Sequence, residues 1–419
     1  MSRITLFLMG LVMLSGCGES AGPGRAGGPA QTTGGVITVG EDDVAALVTG
    51  NNRFALDLYG QLGDEPGNLF FSPYSVSAAL AMTYAGALGE TADEMAQALR
   101  MTLVADRVHA AFGMVQQRLN GAGEDRAYTL SIANRLWGQA GEDFVPEFLD
   151  LTREHYGSEL ATVDFRGETE RAREAINAWV EQQTHEKIKE LIKPGILDAM
   201  TRLVLTNAIY FKSEWAEQFS EHATYDAAFH LNDDDDVTVP MMRQRGPYQY
   251  ATYDDLAVLE IPYKGGELSM VILLPDQIEG LAALEQRLTH ENVERWCAGV
   301  VEQEVKVLLP KFKISAQFGL RDALESLGMK RAFDAMRADF TGMSDKGDLF
   351  ISAVVHEAFV EVDETGTEAA AATAVVLEKA IALPPPAVGF RADHPFVFMI
   401  RHNQTGAILF QGRLANPAE

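Results

Sequence analysis

Cysteine is nearly absent from this chain: 419 residues carry two, Cys17 and Cys297. A disulfide framework is therefore excluded, and stability must come from an apolar core, which 47% hydrophobic residues are enough to build. Positive charge is scarce too, with 34 Lys and Arg against 60 Asp and Glu and a formal net charge of −26. Nucleic acid and heparin are poor partners for such a polyanion. The apolar run at the amino terminus, Ile4 to Leu14, is too short to span a bilayer. Linear signatures of catalysis are missing: there is no G-x-S-x-G elbow, G-x-x-x-x-G-K-[ST] loop, C-x-x-C pair or H-E-x-x-H helix. His185-Glu186 and His356-Glu357 each lack the second histidine. The run Asp233 to Asp236 lacks the glycine and distal glutamate of a calcium loop and reads as a solvated connection. We expect a non-enzyme with neither cofactor nor metal; a hydrolase whose site assembles only in space, turning over small esters or peptides, is the enzymatic alternative.

Residues 1–16 hold one charge, Arg3, ahead of the short apolar run, which suits a secretory signal and predicts export. The run ends in Leu14-Ser15-Gly16-Cys17, which resembles a bacterial lipoprotein processing box. That resemblance implies a lipidated Cys17, a membrane contact through the lipid, and a place in the cell envelope, at the outer membrane or the cell surface. The plainer alternative is an ordinary signal peptide with an incidental cysteine. Residues 17–40 are rich in glycine and poor in apolar groups and read as a flexible tether. Cys297, between Trp296 and Ala298, reads as a packed and inert thiol.

Helix signals dominate the first half. Ser72 can cap a helix with Pro73 at its first position; Val76, Ala79, Leu80 and Thr83 then share a face, and Gly89 is expected to end it. Ile176, Trp179, Val180 and Ile188 form a second helical stripe within residues 168–192. Strand signals follow, in Leu268 to Pro275, Val305 to Ile314, Phe396 to Ile400 and Ala407 to Phe410. Helices early and strands late indicate an α+β protein with antiparallel or mixed sheets. No internal repeat is visible.

The segment VDETGTEAAAATAVVLEKAIALPPP, Val362 to Pro386, departs from this pattern. Gly366 relaxes the backbone, and small or β-branched residues follow. Read with a period of two, Thr367, Ala369, Ala371, Thr373 and Val375 share a face and are small enough to be buried, with Glu368 on the other face. An ordinary alanine-rich helix is the competing reading, which Thr373, Val375 and Val376 weaken.

The segment resembles the hinge and reactive-centre loop of the serpins. Asn68 to Met95, Leu203 to Trp215 and His394 to Pro417 resemble further signature segments of that family, in the family's order. The resemblance covers roughly residues 41 to 419 and implies one large serpin domain: amino-terminal helices around a large central mixed or antiparallel sheet, and an exposed insertable loop at about 364–389. It implies a monomer that inhibits serine proteases as a suicide substrate, trapping the acyl-enzyme when the cut loop enters the central sheet. The hinge is then Glu364, Gly366, Thr367, Glu368, Ala369, Ala370, Ala371, Ala372 and Thr373. The residue before the cut bond falls at Ala380, with Ile381 following, which favours an elastase-like or subtilisin-like protease; the alternative bond, Lys379 to Ala380, points to a trypsin-like one. Ser72, Ser75, Asn207 and His356 match a buried polar cluster where the central sheet parts, and Trp215 matches a tryptophan near the top of that opening. A non-inhibitory binding or carrier protein of the same fold is the alternative function; the uniformly small Ala369 to Ala372 argue against it.

Overall fold

Helix α1 (Glu41–Leu62) leads through strand β1 (Leu69–Phe71) into α2 (Pro73–Tyr84), α3 (Gly89–Ala98) and α4 (Ala105–Asn120). Strand β2 (Tyr128–Gln139), α5 (Pro146–Tyr156), β3 (Ala161–Val163) and α6 (Thr169–Gln183) precede the long strand β4 (Leu203–Glu214). Four strands follow: β5 (Tyr225–His230), β6 (Asp236–Tyr253), β7 (Leu256–Pro262) and β8 (Leu268–Pro275). After α7 (Leu281–Glu285) and α8 (His290–Ala298) come β9 (Val301–Pro310), β10 (Phe312–Gly319) and α9 (Arg321–Ser326). The chain closes with β11 (Ile351–Val362), β12 (Gly366–Thr367), β13 (Val388–Arg391), β14 (Phe396–His402) and β15 (Ile408–Leu414). This computed structural model describes residues 38–64, 66–120, 127–367 and 386–419. The signal and tether through residue 37, hence Cys17, lie outside the described residues, as do Glu368 to Thr373 and the two candidate bonds at Lys379, Ala380 and Ile381.

The described strands form two mixed sheets. The larger runs β1-β15-β14-β8-β7-β6-β9-β13 with β5 on β6; the other runs β10-β11-β12-β4-β2-β3, with β11 also pairing directly to β4. One face of the six-stranded sheet packs into the main core with α1, α2 and the larger sheet; Leu205, Ile209, Phe211, Val354 and Ala358 lie there. The other face is covered by α6 and the chain after it, through Ile176, Val180, Ile188, Leu191 and Ile192 against Ala133, Trp137, Val204, Ala208 and Val355. The sheet is thus a middle layer.

Three local expectations need correction. Helix α2 stops at Tyr84 rather than Gly89, because the turn at Gly86 presses on another segment: a Cβ on Gly86 would lie 3.1 Å from Met343 Cβ, and the Gly86 carbonyl accepts from the Gly342 N–H at 3.1 Å. Gly89 instead begins α3. Helix α6 ends at Gln183, and Ile188 lies beyond it, because His185 and Glu186 take φ of 51° and 63° and turn the chain; the Thr184 hydroxyl accepts the Ile188 N–H at 3.2 Å. Residues 305–314 are two strands. After Pro310 the chain leaves the larger sheet, and β10 pairs with β11 in the other.

Helix α6 must be held by its apolar stripe, since it joins neither sheet by hydrogen bonds. Ile176→Ala is expected to cost about 2–5 kcal/mol, read from the urea midpoint, and to speed amide exchange across residues 169–183 before it does so in β8.

Candidate functional site

At Val362 strand β11 ends and the chain folds back through a tight turn. Asp363 Oδ1 accepts the backbone N–H of Thr365 at 2.8 Å and of Gly366 at 3.2 Å, and the Asp363 N–H donates to the Gly366 carbonyl at 2.9 Å. Gly366 and Thr367 thereby wedge between the upper ends of β11 and β4, Thr367 opposite both Val362 and Ser213, Gly366 opposite Glu214. Only glycine fits this approach, for a Cβ on Gly366 would lie 2.7 Å from Glu214 Cα and closer still to the Ser213 carbonyl. The expected loop boundaries are therefore corrected at both ends. Residues 364–365 are a buried turn and 366–367 a buried strand start, and Val388–Arg391 pair parallel with β9. Thr367, read from the sequence as a residue awaiting insertion, is already 0% exposed, its hydroxyl 2.7 Å from that of Tyr263.

The turn is anchored from several sides. Glu364 accepts from Lys311 Nζ at 2.6 Å and from the Thr224 hydroxyl at 2.7 Å, while its carbonyl takes the Phe219 N–H at 2.8 Å. Burial pushes the Glu364 carboxyl up, but the Lys311 and Thr224 hydrogen bonds outweigh it and hold the group below its ordinary value. Trp215 both packs in the core and clamps the turn. Its ring stacks on Tyr263 at 4.7 Å and 9°, and its indole N–H and backbone N–H donate to the Asp363 and Thr365 carbonyls, each at 2.9 Å.

Below the wedge β11 and β4 pair directly and in parallel, with His356 opposite Asn207. Ser72, Ser75, Asn207 and His356 are each 0% exposed, and the structure brings all four together. The Ser72 N–H donates to His356 Nε2 at 3.0 Å, which leaves the ring proton on Nδ1, directed at Asn207 Oδ1. Asn207 Nδ2 donates to Ser75 Oγ at 2.7 Å; Ser75 Oγ donates to Asn134 Oδ1 at 3.0 Å. Ser72 Oγ caps α2 by accepting the Ser75 N–H at 3.2 Å and donates to the Leu409 carbonyl at 2.6 Å. Asn134, on β2 directly across from Asn207, also donates to the Ser75 carbonyl at 3.1 Å. The sequence reading missed it. Its only trace is an amide within the otherwise apolar stretch Ile132-Ala133-Asn134, and nothing in the sequence tells which residue of β4 it faces.

The cluster ties α2, β2, β4 and β11 together where a new strand would have to part β11 from β4. Its hydrogen bonds join side chains that can take other partners, so it can hold the sheet shut and be remade after opening. Elsewhere, Cys297 is half-buried in α8, and burial pushes its thiol up to about 11, which suppresses the nucleophilic thiolate. Among the described residues no group of three or more His, Cys, Asp or Glu could hold a metal, and no helix is long and apolar enough to cross a membrane.

Burial drives His356 down to about 3 from an ordinary 6.5, against a smaller upward pull from the Asn207 carbonyl. The neutral ring is required because a proton on Nε2 would oppose the Ser72 N–H. Its stabilising contribution is complete above pH 6.5 and is lost as pH falls from there toward about 3, at up to about 1.4 kcal/mol per pH unit. His356→Gln is expected to flatten the pH dependence of the urea midpoint across that range, leaving the slope from His109, which burial also lowers to about 3. An unchanged slope would show that His356 is not a linked group.

Comparison with known proteins gives the same picture at the level of the whole chain. A family model for the serpins (serine protease inhibitors) matches residues 49–417. Leukocyte elastase inhibitor of Sus scrofa is 48% identical over 381 residues, 88% of this chain and 99% of that protein, and that of Homo sapiens is 45% identical over the same shares. The crystal structure of uncleaved ovalbumin superposes with a TM-score of 0.81 at 30% identity, over 89% of this chain and 100% of that one. These relatives are animal proteins and lend nothing to a bacterial lipoprotein reading, which rests on residues 1–40 alone. The wedge at Thr367, the cluster beneath it and the match from residue 49 to 417 converge on one conclusion: this chain belongs to the serpin family.

Proposed function

We propose that this serpin is a suicide-substrate inhibitor of an elastase-like serine protease, and that its cut loop continues the strand β12 has begun. The observation that carries this reading is the register of β12. Each further residue along β12 runs against one residue back along β4 and one back along β11. Extending from Thr367 opposite Ser213 and Val362 therefore sets Thr373 opposite Asn207 and His356 together, and reaches Leu203, the first residue of β4, at Leu377. A hydroxyl arrives where the His356 to Asn207 bond must open, and both ring and amide can turn to it. The sheet is filled just before Ala380.

The chemistry begins as ordinary proteolysis. The protease serine attacks the Ala380 carbonyl, the bond to Ile381 breaks, the Ile381 nitrogen leaves with a proton, and Ala380 is held as an ester. The freed strand then inserts. Roughly ten newly paired residues, at about 0.5–1.5 kcal/mol net each, contribute about 5–15 kcal/mol, comparable with the whole stability of an ordinary domain. That gain draws the esterified protease along the sheet before water reaches the ester, so the uncut form is a kinetic rather than a global minimum. The small residue at Ala380, and relatives named leukocyte elastase inhibitor, support an elastase-like target. We also propose that residues 1–16 direct export and that Cys17 carries a lipid; Cys17→Ser is expected to move the protein from detergent phase to aqueous phase in a partition of envelope extracts.

Mass spectrometry after mixing with elastase, subtilisin and trypsin checks the bond and the trap together. The expected products are a covalent adduct and a released peptide beginning at Ile381; a peptide beginning at Ala380 moves the target to trypsin-like enzymes, and cleavage with no adduct favours the carrier reading. In the inserted strand residue 371 shares the inward face with Thr367, so Ala371→Arg is expected to abolish the gel-stable adduct while cleavage continues. Persistence of the adduct in that variant would remove insertion from the mechanism.

A further inference from the structure

Residues 343–352 lead into β11 but reach across the six-stranded sheet to the strands on the far side of β4. Their base is fixed to the helical body: the Gly342 N–H donates to the Gly86 carbonyl at 3.1 Å in the turn between α2 and α3, and Ser344 is buried. Lys346 Nζ then donates to the Gly141 carbonyl at 3.0 Å and lies 3.2 Å from Glu142 Oε2 and 3.7 Å from Asp143 Oδ2, just past the end of β2 at Gln139. Asp348 Oδ2 lies 3.8 Å from Nη2 of Arg166, just past the end of β3 at Val163. The Ser352 hydroxyl accepts the Arg202 N–H at 2.9 Å, beside the pair Ile351 and Leu203.

These contacts are not of equal weight. Asp348 and Arg166 are each about half exposed, and such a pair contributes little. Glu142 is different: its side chain is 5% exposed, its buried Oε2 accepts no hydrogen bond, and Lys346 is its sole ion-pair partner among the described residues. Taking the ammonium away leaves a buried carboxylate uncompensated. The seam between β11 and β4 runs through the middle of this bridge, with Lys346 and Ser352 on one side and Glu142 and Arg202 on the other. Filling the sheet down to Leu203, as proposed above, moves β4, β2 and β3 away from β11 by one strand spacing, about 4.8 Å. The Arg202 N–H cannot follow Ser352 over that distance, and Lys346 follows only by giving up the Gly141 carbonyl or the buried Glu142.

We propose that residues 343–352 are an electrostatic clasp across the foot of the six-stranded sheet, with Lys346 on Glu142 as its catch, and that its release is a second barrier to complete insertion. The lock at His356 and Asn207 opposes an entering strand at mid-length with neutral hydrogen bonds. The clasp opposes it at the end with charge. The two barriers therefore answer to different conditions, and added salt weakens the clasp because the Lys346 ammonium is partly open to solvent. The clasp itself rests on contacts in the closed sheet; its part in insertion rests on the function proposed above.

Lys346→Gln tests both halves, with Lys346→Arg as the conservative variant. Arg171→Gln is the control, since Arg171 pairs with Glu168 on the exposed surface at the start of α6, away from the seam. Amide exchange of the uncut full chain reads the clasp: Lys346→Gln is expected to speed exchange severalfold at Leu203 to Leu205 and Ile351 to Val354 and to leave β8 unchanged, with neither effect in Lys346→Arg or Arg171→Gln. The rate at which loop-cut protein gains heat resistance reads insertion. In the parent chain that rate is expected to rise severalfold between about 0.05 and 0.5 M NaCl, and in Lys346→Gln to be fast from the start and indifferent to salt. Exchange at the foot of the sheet that ignores Lys346→Gln, or that Arg171→Gln speeds equally, overturns the clasp. Faster exchange with an unaltered insertion rate overturns the second barrier. If the cut protein never gains heat resistance it is the insertion reading that fails, and the exchange data still decide the clasp.

Discussion

The parallel contact between β11 and β4 is the constraint on which the rest of the molecule depends. It joins two long strands far apart in sequence, and the pair His356 and Asn207 doubles the backbone ladder with a side-chain bond at mid-length. The strands stay paired through Phe359 and Tyr210, a short way above that bond, and only then diverge to admit Gly366 and Thr367. A sheet that is open at one end and locked in the middle has a natural direction of change. A third strand can enter only from the top, and it must reach the lock before it can fill the rest.

The surroundings of this contact make sense as supports for a strand exchange. On one face the cluster is anchored to the start of α2 through Ser72 and Ser75, so opening the sheet costs hydrogen bonds to a rigid helix end. On the other, α6 and the chain after it cover the same strands with side chains alone, a contact that can slide without breaking a ladder. At the top, Trp215 and Lys311 hold the turn at Asp363 and Glu364 and Tyr263 holds Thr367, so the wedge is stationed in the gap without being free to run down it. Strand β2 lies within the same mechanical unit, because Asn134 belongs to it and to the lock.

Much of this was legible in advance, and the reasons differ by element. Ser72 followed by Pro73 marks a helix start because capping and proline geometry are local, and that start is observed. The β8 boundaries, Leu268 and Pro275, were readable because a strand buried on both faces is a continuous apolar run with a proline at its end. The end of α2 was not readable, since it depends on Met343, more than two hundred residues away, pressing on Gly86. The small residues from Gly366 onward showed that a strand could form there; that Gly366 and Thr367 already form one depends on the gap between β11 and β4.

By itself the sequence determined what is local or compositional: an acidic chain with a large apolar core and no disulfide framework, helices before most strands, a hinge of small residues after Gly366, and four signature segments that carry the family. Tertiary structure alone decided how far the hinge has entered, that Asn134 completes the lock, and that Trp215 clamps as well as packs. Each of these is a relation between strands brought side by side by folding, and pairing register is set by packing of whole faces, which no single segment encodes.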